Sequence, residues 1–311
     1  MPQRKYKYLF GPVPSRRLGR SLGVDIIPLK TCTQNCIYCQ LGKDALQTLE
    51  RKEYAPIDAV LDELKTKVAD GLEADFITIS GSGEPTLHCG LGKLTDGIRR
   101  ITDIPVAVIT NGTLLFRADV RDDCCKADVV LPSLDAGDAN TFQKMNHPHP
   151  ELDFEQYVDG LVRFRSQYTG QIWLEVFICE GVNTTEQAIS NLKTRIAKIK
   201  PDKIQVNTSV RPVVHAEAAR VEPERLEQIA HALSERAEVI ADFSKHTGTT
   251  GRTADLNVIL ETLRRRPCSL EDLSAGLGLS KEQLIPALTK LQALSRITTE
   301  EKNKKIYYKP L

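Results

Sequence analysis

Lys30-Thr-Cys-Thr-Gln-Asn-Cys-Ile-Tyr-Cys-Gln-Leu-Gly42 sets three thiols, Cys32, Cys36 and Cys39, in a C-x3-C-x2-C spacing soon after the apolar run Leu22-Gly-Val-Asp-Ile-Ile-Pro28. Three thiolates at this spacing can each take one iron of a cubane [4Fe–4S] cluster. Four cysteines would close such a cluster, whereas three leave one iron with an open coordination position. That opening turns an electron store into a catalyst. Two plainer readings fit less well. Structural zinc takes four Cys/His ligands in paired C-x2-4-C arrangements, and no second pair lies near this one. A disulfide framework suits short secreted chains, and this chain runs to 311 residues with no signal-peptide pattern.

The totals agree with a large domain followed by a small one. A hydrophobic fraction of 41% and a charged fraction of 27% are ordinary for a soluble globular protein. No apolar run approaches the ~20 residues needed to cross a bilayer, so no membrane partner is expected. The eight cysteines are read in a reducing cytoplasm. Outside the triplet, Cys89, Cys124, Cys125, Cys179 and Cys268 are scattered and read as small buried apolar side chains. The net charge of +1 conceals basic ends, with residues 1–30 at +6 and 252–311 at +4. Basic ends can face phosphates, although a solvated charged face is the commoner cause.

Apolar runs and helix-like segments alternate through the first two-thirds of the chain. Strands are expected over 22–28, 76–80, 106–110, 129–134, 172–178 and 203–207, with helices over 57–71, 91–101, 118–125, 139–145, 154–168 and 185–199. Six strands separated by helices predict parallel βαβ units and an α/β fold. The unit count alone does not separate an open doubly wound sheet from a barrel. In either case the chemistry belongs at the carboxyl ends of the strands, and the cysteine loop follows strand one. Past Val210 come a helix over 223–236 and a short apolar piece over 239–243. A polar Gly/Thr stretch, 244–251, reads as a linker. Residues 252–311 then show three helical segments and a two-stranded β wing, an order that resembles a winged helix-turn-helix domain.

Short polar motifs close the other strands. Ile79-Ser-Gly-Ser-Gly-Glu-Pro85 ends strand two, Thr110-Asn-Gly112 strand three, Ser133-Leu-Asp135 strand four and Ile178-Cys-Glu-Gly-Val-Asn183 strand five. Each alone reads as a turn or a helix cap. Together they ring one end of the sheet with donors and acceptors. Phe10-Gly-Pro-Val-Pro-Ser-Arg-Arg-Leu-Gly-Arg20 reads as a loop whose arginines suit phosphate or carboxylate. Gln205, Asn207 and Arg211 would face a barrel mouth. His88 and the histidines of Met145-Asn-His-Pro-His149 read as satisfied structural residues, and no side chain is singled out as catalytic.

The cysteine loop, with Tyr38 just before its last thiol, resembles the signature of the radical S-adenosylmethionine (SAM) superfamily. The resemblance implies a partial (β/α)6 barrel over 1–243, followed by the 244–251 linker and the winged helix over 252–311. It implies two cofactors, a [4Fe–4S] cluster on Cys32, Cys36 and Cys39, and SAM chelated at the open iron. Ser82, Gly83 and Glu84 correspond to the family's Gly-Gly-Glu element on the SAM amino group, with Ser in place of the first Gly. Asn111, Ser133 and Asp135 are implied for the SAM carboxylate and ribose. Tyr38 and the segment around Gly181 and Val182 are implied for adenine. Over about residues 8–212 the likeness narrows to Fe–S oxidoreductases loosely related to the tRNA wyosine-base synthases. Those synthases carry a second cysteine set upstream, and here no cysteine precedes Cys32, so their pyruvate-condensing reaction is not carried over.

The resulting expectation is an enzyme that cleaves SAM reductively to a 5′-deoxyadenosyl radical and abstracts hydrogen from a substrate. RNA is favoured as that substrate and a peptide comes second. A reductase, flavodoxin or ferredoxin would deliver the electron. The alternative is an iron–sulfur sensor that binds DNA through its winged helix.

Overall fold

In the computed structural model, which describes residues 6–41, 44–209, 218–240, 256–265, 267–277, 279–302 and 305–311, strands and helices alternate as the hydrophobic pattern requires. The chain runs β1 (Leu9–Ser15), β2 (Gly19–Val24), a two-residue ladder of β3 (Thr31–Cys32) and β4 (Leu46–Gln47), α1 (Ile57–Ala69), β5 (Phe76–Ile79), α2 (Leu91–Ile101), β6 (Val106–Thr110), α3 (Ala118–Cys124), β7 (Val129–Pro132), α4 (Ala139–Asn146), α5 (Phe154–Gln167), β8 (Gln171–Ile178), α6 (Glu186–Ile199), β9 (Lys203–Thr208), α7 (Pro223–Leu233) and β10 (Ala237–Val239). Side-chain caps start several helices. Asp138, Asp153 and Thr185 accept from the backbone N–H groups of Thr141, Gln156 and Ala188, each contributing about 1 kcal/mol.

The strand order β1-β2-β5-β6-β7-β8-β9-β10 repeats the chain order. A doubly wound sheet must reverse its winding at a switch point, and no reversal occurs here. With right-handed crossovers, the helices collect on one face and the sheet curls. Its ends approach one another: Arg16, in the β1–β2 turn, donates to Asn207 Oδ1 in β9 at 2.9 Å and to the Ile240 carbonyl after β10 at 3.1 Å.

Alternation along each strand sorts side chains between the two faces. Leu22, Ile77, Val106, Val108, Val130, Leu174, Val176, Ile204 and Val206 join the main core with the helices. Their neighbours Ala107, Leu131 and Trp173 form a separate inner cluster. Ser21, Thr78, Glu175 and Asn207 also fall on the inner side and line an internal cavity there. The concave face is therefore part apolar and part polar.

Two expectations are corrected. The 10–20 segment is not a loop but the antiparallel hairpin β1–β2, with an irregular register between Phe10 and Val13. Gly11 and Pro12, two of the residues that suggested a loop, sit at that irregularity, where strands tolerate them. The Phe10 ring lies over Gly23, where any Cβ would collide with it. The apolar piece near 239 belongs to a seventh parallel strand, since β10 pairs with β9; residues 241–243 and the linker 244–251 lie outside the described residues, as does Arg211.

The C-terminal unit comprises α8 (Leu256–Arg265), β11 (Cys268–Ser269), α9 (Leu270–Leu277), α10 (Lys281–Ala293), β12 (Ile297–Lys302) and β13 (Lys305–Pro310), with its three strands in the order β11-β13-β12. Ser269 and Asp272 exchange side-chain and backbone hydrogen bonds at the start of α9. Ser280 and Gln283 form a capping box at α10. This unit has its own apolar cluster around Ile259, Leu273, Leu284 and Leu288, and α8 and α9 pack against β1. Among the described residues no helix is long and apolar enough to cross a membrane.

Candidate active site

The cysteine loop lies beyond the carboxyl end of β2 and is held by backbone bonds to the segment that ends α4. Asn35 N–H donates to the Asn146 carbonyl at 3.0 Å, Ile37 N–H to Met145 at 3.1 Å, and His149 N–H returns to Thr33 at 2.9 Å. Cys32, Cys36 and Cys39 all line one cavity of about 420 Å³. Burial pushes the Cys32 thiol up to about 12, with the charge of Glu84 adding to it. Burial likewise holds Cys36 well above the ordinary thiol range, helped by Cys32 and Asp135. These thiols keep their protons until a metal displaces them.

Among the described residues no group of three His, Cys, Asp or Glu side chains is close enough to hold a single metal ion. A cubane makes a different demand, because each thiolate takes its own iron. Three thiols around one cavity fit that demand. Two of them also receive side-chain amides: Asn111 Nδ2 lies 3.5 Å from Cys32 Sγ and Asn146 Nδ2 lies 3.5 Å from Cys36 Sγ.

Beside the loop, the end of β5 is built for close approach. Gly81 has φ +143, and a Cβ there would collide with the Asp25 carboxylate, while a Cβ on Gly83 would meet the Thr31 carbonyl oxygen. Gly81, Gly83, Glu84, Asn111 and Ser133 line the cavity with Tyr38 and the cysteines. Ser82 does not line it; its N–H and hydroxyl both donate to Asp25, at 3.1 and 2.6 Å. The Glu84 carboxylate is used by the protein itself. Its Oε1 accepts from Thr86 N–H, Thr86 Oγ1 and Thr110 Oγ1, and its Oε2 from Asn111 N–H at 2.7 Å. Burial raises its pKa despite these donors. Glu84 thus ties the end of β5 to the end of β6.

Asp135 also differs from its expected placement facing ribose. It is 2% exposed, does not line the cavity, and accepts from Tyr38 OH at 2.5 Å, Asn146 Nδ2 at 2.8 Å and Phe177 N–H at 2.8 Å. Burial lifts its carboxyl to about 6 against those three hydrogen bonds. Its acceptor capacity goes to holding Tyr38, whose ring stacks on Phe177 with centroids 4.0 Å apart. Val182 and Tyr38 pack against the same small apolar cluster of Ile37, Met145, Phe177, Cys179 and Ala218. Gly181 turns the chain beside them at φ +75, with open space where a Cβ would stand.

Two of the three arginines of the 10–20 segment, Arg16 and Arg17, reach the cavity. Arg17 Nη1 pairs with Glu175 Oε2 at 2.9 Å, and Asn207 Nδ2 donates to Glu175 Oε1 at 3.3 Å. Burial raises the Glu175 pKa, but Arg17, Asn207 and Arg16 outweigh it and leave the carboxyl below its usual range. Arg20 instead pairs with Glu73 on the surface. Glu175 was not legible as a site residue in sequence; its one signal is a lone acid inside an apolar strand. Of the strand-six residues, Asn207 lines the cavity, whereas Gln205 donates to Glu238. His88 is fully buried, contacts Ala55 and accepts from Gly90 N–H, as expected of a structural histidine.

The sequence model of the radical SAM superfamily matches residues 26–190, the span that carries the cysteine loop and the strand-end motifs around it. The chain belongs to the radical SAM superfamily. It is 34% identical over 233 residues to the UPF0026 protein MJ1312 of Methanocaldococcus jannaschii, covering 74% of this chain and 71% of that protein. It is 36% identical over 308 residues to a protein of Brachyspira hyodysenteriae named GTPase Obg; the match covers 98% of this chain but only 45% of that relative. Among solved structures, TYW1 with a lysine-pyruvate adduct bound aligns with a TM-score of 0.55 at 18% identity, covering 73% of this chain and 76% of that one. At that identity the likeness is one of fold.

As a radical SAM protein the chain uses a [4Fe–4S] cluster and S-adenosylmethionine, and the cysteine cavity has the three thiols that the cluster needs. When bound, they supply an electron that breaks the C5′–S bond of SAM and a carbon radical that takes hydrogen. The protein's own share is to orient these groups and keep water out.

Proposed function

We propose that this chain is a radical SAM enzyme that takes a hydrogen atom from a substrate held against the polar wall of Arg16, Arg17, Glu175 and Asn207. One observation carries this reading: a single cavity joins two chemically different ends. The cysteines stand past the carboxyl ends of the strands, whereas Arg16 and Arg17 stand in the turn at the amino end of β2. Cys32, Cys36 and Cys39 would hold iron. The backbone over 81–83 with Asn111 and Ser133 would hold the methionine end of SAM, and Tyr38 with Gly181 and Val182 would flank adenine. Asp135 would act on the nucleoside side through Tyr38. The guanidinium groups favour a substrate with phosphate or carboxylate, RNA before a peptide.

In this reading residues 1–243 form the catalytic partial barrel and 252–311 a winged helix-turn-helix unit that presents substrate. Thr262 of α8 lines the cavity, which favours that role over independent grip on DNA by a sensor. A flavodoxin, ferredoxin or reductase would supply electrons in a reducing cytoplasm. The test is anaerobic reconstitution with iron and sulfide, then dithionite and SAM. Formation of 5′-deoxyadenosine and methionine is expected, with deuterium entering 5′-deoxyadenosine from perdeuterated RNA. A brown, EPR-active protein that leaves SAM intact would overturn the enzyme reading. Deuterium arriving from a peptide pool instead would overturn RNA.

A further inference from the structure

Asn146 closes α4, just before His147 turns left-handed at φ 39. Its carbonyl already anchors the cysteine loop by accepting from Asn35 N–H. Its side chain is 3% exposed and faces the same loop. The Nδ2 group lies 2.8 Å from Asp135 Oδ2, 3.5 Å from Cys36 Sγ and 3.5 Å from Tyr38 OH. The Oδ1 atom is buried and has no hydrogen-bond partner.

The neighbours of Nδ2, not the orphaned oxygen, settle which way the amide points. A flipped amide would set Oδ1 against a carboxylate and a cysteine sulfur, both electron-rich. One N–H is taken by Asp135, itself held by Phe177 N–H, so the other is directed at Cys36 and Tyr38. Neither Asn146 nor its contact with Cys36 follows from the C-x3-C-x2-C spacing.

We propose that Asn146 is a positioning residue of the cluster site, whose side-chain N–H donates to the Cys36 thiolate and raises the potential at which the cluster takes up its electron. The proposal rests on the cluster reading above. Reduction adds one negative charge to the cluster, and a hydrogen bond to a ligand sulfur stabilises the more negative state. Asp135 acts through this amide, fixing its orientation without touching the sulfur.

The test uses the full chain, reconstituted anaerobically, with iron and sulfide assayed and the cluster titrated by EPR in the absence of SAM. The wild type is expected to load the cluster; failure to load would sink the cluster reading itself. Asn146→Leu is expected to load and to be about tenfold harder to reduce, a fall of about 59 mV for a one-electron couple. A loaded Asn146→Leu protein with the wild-type midpoint overturns the proposal. Should that variant not fold, the Asn111→Ser protein labelled with ¹⁵N at asparagine side chains is read instead. Pulsed EPR of its reduced cluster is expected to show a nitrogen coupling from Asn146, and a spectrum without one overturns the proposal.

Discussion

The Arg17–Glu175 pair offers the sharpest test of how the cavity is divided. Its atoms are 2.9 Å apart, and the two side chains are only 14% and 17% exposed. Glu175→Leu strands a guanidinium in the cavity wall. Breaking a buried pair from one side costs about 3–5 kcal/mol, and the residual exposure places this case near about 3 kcal/mol. Removing both charges with Arg17→Met and Glu175→Leu leaves two apolar side chains of similar bulk, an exchange that is often close to neutral. The double variant is therefore expected within about 1 kcal/mol of wild type, giving a coupling of about 2 kcal/mol or more in the cycle. Urea unfolding followed by far-UV circular dichroism measures it. The pH dependence has a fixed sign. Glu175 is held below its ordinary value of 4.5, so its contribution is complete above pH 4.5 and disappears as the pH falls through the lower folded value. In function, the double variant is expected to keep SAM cleavage with dithionite and to lose substrate turnover, because the pair sits at the end of the cavity away from the cysteines. Additive single variants, or loss of SAM cleavage in the double variant, would refute the reasoning.

Four further outcomes are expected. Replacing any one of Cys32, Cys36 or Cys39 by Ser abolishes 5′-deoxyadenosine formation and sharply lowers bound iron, whereas Cys124→Ala, buried in the helix-side core, leaves the iron content unchanged. Gly83→Ala drives a Cβ into the Thr31 carbonyl and the Ile27 side chain and so lowers cluster loading; Gly181→Ala meets open space and changes stability only by backbone strain of about 1 kcal/mol, as a denaturation midpoint would show. Glu84→Gln sets an amide N–H group against a donor that Glu84 now satisfies and costs about 1–3 kcal/mol, measured by urea unfolding. Thr262→Trp, at a site on α8 that lines the cavity, reduces substrate turnover while SAM cleavage without substrate continues; equal loss of both would remove the C-terminal unit from the cavity wall.

Local pattern was sufficient for much of this protein. The C-x3-C-x2-C spacing, the runs that became β5 to β9, and the helices α4 to α6 depend on residues within a turn or a strand of one another, so periodicity and spacing reveal them. The placing of motifs at strand ends followed from the same logic, and it brought Gly83, Asn111 and Ser133 to the cavity. What the tertiary structure alone decided lies across the chain. The Leu9–Ser15 stretch became a strand only because β2 was there to pair with it, which outweighed its turn-like Gly and Pro. Arg17 meets Glu175 across 158 residues and Tyr38 meets Asp135 across 97. The choice between a curled and a doubly wound sheet rests on strand order, which no segment encodes by itself. The family resemblance implied that the carboxylate oxygens of Asp135 and Glu84 contact SAM. Burial then supplied protein donors to those oxygens, and only packed neighbours determine whether a carboxylate is spent inside the fold or left for a ligand.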